Sequence, residues 1–317
     1  MTLSHITRHI YLALGTTSLL AMSAVTLAKP APENISERVT QIEEQVIQWR
    51  HHFHANPELS NREFETAAYI EKFLLELGLQ VQTGVAKTGV VGLLDTGKPG
   101  PVVALRADMD GLPVLEDNDL PYKSTKRGMF NGNDVPVMHA CGHDTHIAML
   151  MGAAQILTGM QDELVGQVKF IFQPAEENMG GARMMIKEGL FDRFPCDMVF
   201  GLHNMPGIGL GTFSGKAGPV MSSIDAAQIK IKGKGGHGAQ PEKTIDPILI
   251  GASLVTALQS IVARNINPVK PGVVTVGSFH SGSSSNIIPD EAVLEISLRS
   301  SDPESRAHII ERVTSLC

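Results

Sequence analysis

Cysteine is scarce in this chain of 317 residues: Cys141, Cys196 and Cys317 are the whole supply. So few thiols exclude a disulfide-stapled scaffold, and a Cys141–Cys196 bridge is the bland alternative to a chemical role for Cys141. Basic residues are scattered, and the formal net charge is −7. That excludes the electrostatic footprint of a protein that binds nucleic acid or an anionic membrane surface. After Leu27, no stretch reads as long and apolar enough to cross a membrane.

The one apolar run of that kind is at the start. Arg8, with His5 and His9, precedes an apolar stretch from Ile10 to Leu27, and Thr26-Leu27-Ala28 offers small residues where a signal peptidase reads. Lys29-Pro30-Ala31-Pro32 breaks any continuing helix. The pattern predicts a leader over 1–28 and an exported chain, periplasmic or secreted, with no stable membrane insertion after cleavage; an uncleaved anchor is the alternative. About 290 residues remain, enough for a sizeable core and more than one domain.

Apolar spacing predicts helices over 35–49 and 66–77, separated by Pro57. Short apolar runs at 90–94, 102–105, 168–172 and 198–202 read as buried strands, alternating with helices at 147–157 and 182–188. This is the pattern of an α/β fold, an open and mostly parallel sheet with helices on both faces. Beyond Gly218 the texture changes. A strand with one wet face (227–231), a helix from Pro247 to about Ala263, two strands (273–279 and 292–298) and a helix opening at Pro303 after an Asp302 cap give β-α-β-β-α. That is a ferredoxin-like α+β unit without its last strand. The domains are therefore read as 29–217 and 218–317. The helical pattern of Ile309, Ile310, Val313 and Leu316 meets no stop signal before Cys317, so the chain is expected to be incomplete there.

The residues with chemistry fall at consistent places on this map. The strand 102–105 runs into Arg106-Ala107-Asp108-Met109-Asp110, 168–172 into Gln173-Pro174-Ala175-Glu176-Glu177, and 198–202 into His203-Asn204. Open α/β sheets place their sites at such carboxyl ends. The cluster His139-Ala140-Cys141-Gly142-His143-Asp144-Thr145-His146 precedes a helix. A thiolate and imidazoles this crowded call for a cation, and divalent metals accept thiolate, imidazole and carboxylate. Cys141 and His143 flank a glycine that lets both turn to one centre. Of the adjacent Glu176 and Glu177, one can ligate while the other faces substrate, as metal-assisted hydrolysis requires. His203 could add a neutral ligand, and Asp108 is placed to accept the second N–H of a ligating imidazole. The early histidines His51, His52 and His54 read as packing or capping residues.

Six segments, in order along nearly all of the mature chain, resemble the M20 family of metallopeptidases. They are His54-Ala55-Asn56-Pro57-Glu58-Leu59-Ser60, Arg106 to Pro113, Met138 to Asp144, Gln173 to Glu177, Gly201 to Asn204 and Ser285 to Asp290. The likeness is to the branch holding hippurate hydrolases, N-acyl-amino-acid hydrolases and auxin-conjugate hydrolases. It implies a centre of two divalent metal ions, zinc or manganese first and cobalt or nickel as alternatives, in a catalytic domain with an inserted lid that often mediates homodimerisation. It further implies Cys141, His143, Glu177 and His203 as ligands and Glu176 as general base. His237 would help stabilise the tetrahedral intermediate, and Asn286 would contact substrate or oxyanion.

The expected activity is hydrolysis of the amide of N-acyl amino acids or related conjugates by water activated at the metals. A dipeptidase or carboxypeptidase using the same centre is the runner-up. Family members continue past this end point and supply a last histidine ligand, so a non-catalytic metal-binding remnant is the reading from another class.

Overall fold

The computed structural model describes residues 33–177 and 180–317, and the leader expected over 1–28 lies outside them. The chain divides into two compact units: the first ends at Gly207 and the second is Ile208–Cys317, a division ahead of the change of texture at Gly218.

The described part of the first unit contains, in order, α1 (Glu33–Ala55), α2 (Phe64–Glu76), β1 (Gln80–Val85), β2 (Gly89–Asp95), β3 (Val102–Asp108), β4 (Arg127–Phe130), β5 (Asn133–Pro136), α3 (His143–Gly159), β6 (Gln167–Gln173), α4 (Gly181–Lys187), α5 (Leu190–Arg193) and β7 (Met198–Gly201). Its main sheet has the order β1-β2-β6-β3-β7. Strand β3 runs parallel to both β6 and β7, while β2 joins β6 and β1 joins β2 antiparallel.

The near-continuous apolar runs of β2 and β6 follow from burial on both faces. Val90, Leu94, Phe170 and Phe172 pack with Trp49 and Phe53 of α1, Ile70 and Leu74 of α2, and Ile147 and Met151 of α3. The alternate residues Val91 and Ile171 face Met185 of α4 and Leu190 of α5. Phe172 is fully buried at the centre of the first layer. Phe172→Ala is expected to cost about 3–5 kcal/mol of stability, from lost burial and an unfilled cavity, measured by urea unfolding.

The second unit contains β8 (Ser223–Lys232), β9 (Gly236–His237), α6 (Pro247–Ser260), β10 (Gly272–Ser281), β11 (Ile287–Ile288), β12 (Glu291–Ser300) and α7 (Pro303–Leu316). Strand β12 lies between β10 and β8 and is antiparallel to both, the split β-α-β arrangement. Asp246 caps α6 by accepting from the N–H groups of Ile248 and Leu249, and Asp302 caps α7 by accepting from Ser305.

Helix α6 continues through a π-helical turn to Asn265, giving 19 residues long and apolar enough to cross a membrane by length and composition. This corrects the expectation that nothing after the leader has that character. In the fold, Leu254, Leu258 and Ile261 are core residues of this unit, packed with Val274, Ile296, Leu298, Ile309 and Val313.

Candidate metal centre

Because β3, β6 and β7 run parallel, their carboxyl ends share one rim, and α3 opens beside it. Asp108 closes β3, Glu176 and Glu177 follow β6, His203 follows β7, and His143 starts α3. Three groups of donors gather here: Cys141 with His143 and His203, His143 with Glu176 and Glu177, and Asp108 with His143 and His146. Within each group the donor atoms lie within 4.8 Å of one another. His143 belongs to all three.

Gly142, at φ +85°, takes the left-handed turn between Cys141 and His143, and a Cβ there would collide with the Asn204 amide. Cys141 Sγ lies 3.4 Å from His203 Nε2. His143 Nε2 is 3.8 Å from Glu177 Oε1 and 3.9 Å from Glu176 Oε2. The backbone at the glutamate pair is a turn, entered through Ala175 at φ +50°, so both carboxylates reach toward His143. Their exposure divides them: the Glu176 side chain is 40% accessible and that of Glu177 17%.

Negative charge dominates the rim. Burial and the nearby Glu177 and Glu176 push the Cys141 thiol up to about 12. Burial disfavours charge on His143, but its contact with Asp110 and the carboxylates of Asp108 and Glu177 push it up to about 9. Burial also pushes Glu177 upward, against the pull of His143. At Asp108 burial is outweighed by the hydrogen bond from His146 and the charge of Arg106, which hold the carboxyl well below its usual range.

This environment attracts a cation. His143 Nε2 and Glu177 Oε1 are buried without a hydrogen-bond partner, and such atoms are costly unless something binds them. Their sulfur, nitrogen and oxygen neighbours form a donor set that fits a divalent transition metal.

The structure changes the part expected of Asp108. The second ring N–H of His143 goes to the backbone carbonyl of Asp110, 2.7 Å away, and not to Asp108. Asp108 instead holds His146, with Oδ1 2.6 Å from Nδ1, and takes Arg106 on its other oxygen at 2.7 Å. His146 Nε2 in turn lies 2.6 Å from Asn204 Oδ1 and 3.1 Å from the Asn204 backbone nitrogen, so both ring nitrogens are engaged. His139 is outside all three groups; both of its ring nitrogens are buried and unpaired, and burial pushes it down to about 4, so it stays neutral. Cys141 and Cys196 are both free thiols.

His237 and Asn286 belong to the second unit, where β9 pairs with β11 and the N–H of Gly238 donates to the Asn286 carbonyl at 2.8 Å. His237 Nδ1 accepts from Ala239, and Asn286 Oδ1 accepts from the Ser284 hydroxyl. Two residues nearly fifty positions apart in sequence are thereby brought side by side in one exposed loop pair.

Of the early histidines, His51 and His52 are packing residues, while His54 is held in a buried ion pair, not the packing or capping role expected. His51 stacks on Tyr122 and His52 on Tyr69. His54 is buried between two carboxylates, Asp144 at 2.9 Å and Glu116 at 2.8 Å. The Asp144 hydrogen bond, against burial and with help from Glu116, raises its pKa. A raised folded-state pKa stabilises the fold below the unfolded value of about 6.5, and the benefit is lost as pH rises through the raised value. The stability gap between wild type and His54→Gln is therefore expected to be widest at acid pH and to narrow on the alkaline side. Urea unfolding across that range checks it, and a flat gap would refute it.

Residues 104–308 match the group described as Peptidase family M20/M25/M40. The chain belongs to this family. Among M20 relatives, it is 44% identical over 281 residues to the N-acetyl-L-cysteine deacetylase of Bacillus subtilis, covering 89% of this chain and 64% of that protein. It thus spans less than two thirds of that relative's length. It is 43% identical over 292 residues to thermostable carboxypeptidase 2 of Saccharolobus solfataricus, covering 90% of this chain and 72% of the relative. Among solved structures, a dinuclear metal-binding M20 peptidase of Bacillus subtilis is similar with a TM-score of 0.70 and 35% identity, covering 87% of this chain and 69% of the other.

Proposed function

We propose that this chain carries the metal-binding part of an amidohydrolase that cleaves N-acyl amino acids or related conjugates. The observation that carries the reading is the convergence of Cys141, His143, Glu176, Glu177 and His203 on one rim, with His143 Nε2 and Glu177 Oε1 buried and unpaired. Cys141, His143, Glu177 and His203 are assigned as ligands of two divalent ions. Ions held there supply Lewis acidity, polarising the amide carbonyl and lowering the pKa of water. Glu176, the more open of the two glutamates, takes the proton of the attacking water and passes it to the leaving amine nitrogen. Zinc and manganese are the first candidates from the donor set.

For His237 and Asn286 the proposal is a role toward substrate and oxyanion, supported by the family resemblance and by their pairing in one loop cluster. A homodimer through the second unit and export by the leader at 1–28 are proposed on the resemblance and on sequence pattern respectively. The likeness to a carboxypeptidase supports a second reading, in which the scissile amide is a peptide bond. Assay of the zinc- and manganese-loaded chain against N-acetyl amino acids and against dipeptides tests both. Release of amino acid from the acyl conjugates alone supports the first, release from dipeptides alone the second, and release from neither overturns hydrolysis by this chain.

A further inference from the structure

Asp110 is buried at 1% exposure, two residues past the end of β3, and has no place in any of the three donor groups. All but one of its contacts lead back to them. One carboxylate oxygen accepts the N–H of Glu176 at 3.0 Å, and the other accepts the N–H of Glu177, also at 3.0 Å. That second oxygen also accepts the Ser60 hydroxyl at 2.5 Å. The Asp110 carbonyl lies 2.7 Å from Nδ1 of His143, which fixes the ring with Nε2 facing the glutamates.

The preceding N–H, from Ala175, goes to a second buried carboxylate, Glu63, at 2.8 Å, and Glu63 is itself held by the Thr88 hydroxyl at 2.6 Å. Three successive backbone N–H groups thus point at carboxylates across a residue in the left-handed region, a geometry known from anion-binding backbone nests. A left-handed alanine is unfavourable by itself and persists only where its surroundings fix it. Here the surroundings are two buried side chains and a serine from the connection between α1 and α2.

We propose that Ser60 and Asp110 form a positioning clamp for the Glu176–Glu177 turn. The clamp sets which glutamate goes deep toward His143 and which stays open, and so divides metal ligation from proton transfer. It rests on the metal reading above. Neither Ser60 nor Asp110 touches substrate; both act through the two glutamates.

The test compares Asp110→Asn, Ser60→Ala and Ser60→Thr with wild type by two independent readouts. The first is amide hydrogen exchange at Glu176 and Glu177, which needs no metal. The second is cobalt affinity by titration, with kcat and KM beside it. An Asn amide nitrogen cannot accept from a backbone N–H, so exchange at one glutamate should quicken by about tenfold. Cobalt affinity should fall by about 10–100-fold, the usual cost of losing an outer partner, with kcat lowered and KM kept. Ser60→Ala should move the same readouts less, and Ser60→Thr should restore them. If Asp110→Asn does not fold, the serine pair decides the matter.

Unchanged exchange in the folded variants would overturn the clamp. Faster exchange with cobalt affinity and kcat unaltered would overturn its positioning role. A wild-type chain that takes up no cobalt would instead sink the metal reading, and exchange would still decide whether the clamp exists.

Discussion

Glu176→Gln is expected to lower hydrolysis by about 10²–10⁴-fold while leaving metal uptake close to that of wild type. The amide keeps the size and shape of the carboxylate but cannot accept a proton from water at neutral pH. Its backbone N–H stays on Asp110, so the turn should keep its form. The 40% accessible side chain adds little to the packing, and stability should hardly change. The measurement is kcat and KM on an N-acetyl amino acid, with elemental analysis of the same preparation. Loss of metal along with activity would show that the two glutamates have been assigned the wrong way round.

His143→Ala should have the opposite profile. His143 is the member common to all three donor groups, and its ring is fully buried. Removing it takes away a nitrogen facing both Glu176 and Glu177 and leaves these two neighbouring carboxylates without that partner. Metal affinity is expected to fall by more than the 10–100-fold typical of losing an outer partner, and activity should fall with it. Lost pairing should also lower stability, since breaking a buried ionic cluster on one side leaves uncompensated charge. Cobalt titration followed by urea unfolding of the metal-free protein separates the two losses. Cobalt binding at wild-type strength would remove His143 from the ligand set.

The reach of the sequence can be judged from particular elements. The apolar runs that became β2, β3 and β6 are legible because burial on both faces leaves no polar alternation to confuse the period. The rim position of Asp108, Glu176 and Glu177 follows directly, because each stands just past such a run, whereas His203 follows β7, an edge strand that is exposed and not the buried strand expected over 198–202. Strand β1, Gln-Val-Gln-Thr-Gly-Val, is hidden: it is an edge strand, partly exposed, and rich in polar residues. The β4–β5 hairpin carries a turn signal in its sequence. Its turn is Asn131-Gly132, at φ +50° and +80°, the pair favoured in tight hairpins. Sequence could not divide the acidic groups between Asp108 and Asp110, because which imidazole each meets depends on the register of β3 against α3. Nor could it show that Asn204 would occupy His146. Those are tertiary facts, set by side chains that meet across 38 and 58 residues.

The donors on the rim come from four separate stretches of chain, at Asp108, at Cys141 with His143, at the glutamate pair and at His203. An ion held among them acts as a cross-link as much as a reagent. By mass action it stabilises the folded state according to its free concentration, by about 2.7 kcal/mol at a hundred times its dissociation constant. The melting temperature of this protein should then rise with free metal, and a chelator should act on the loaded form as a mild denaturant.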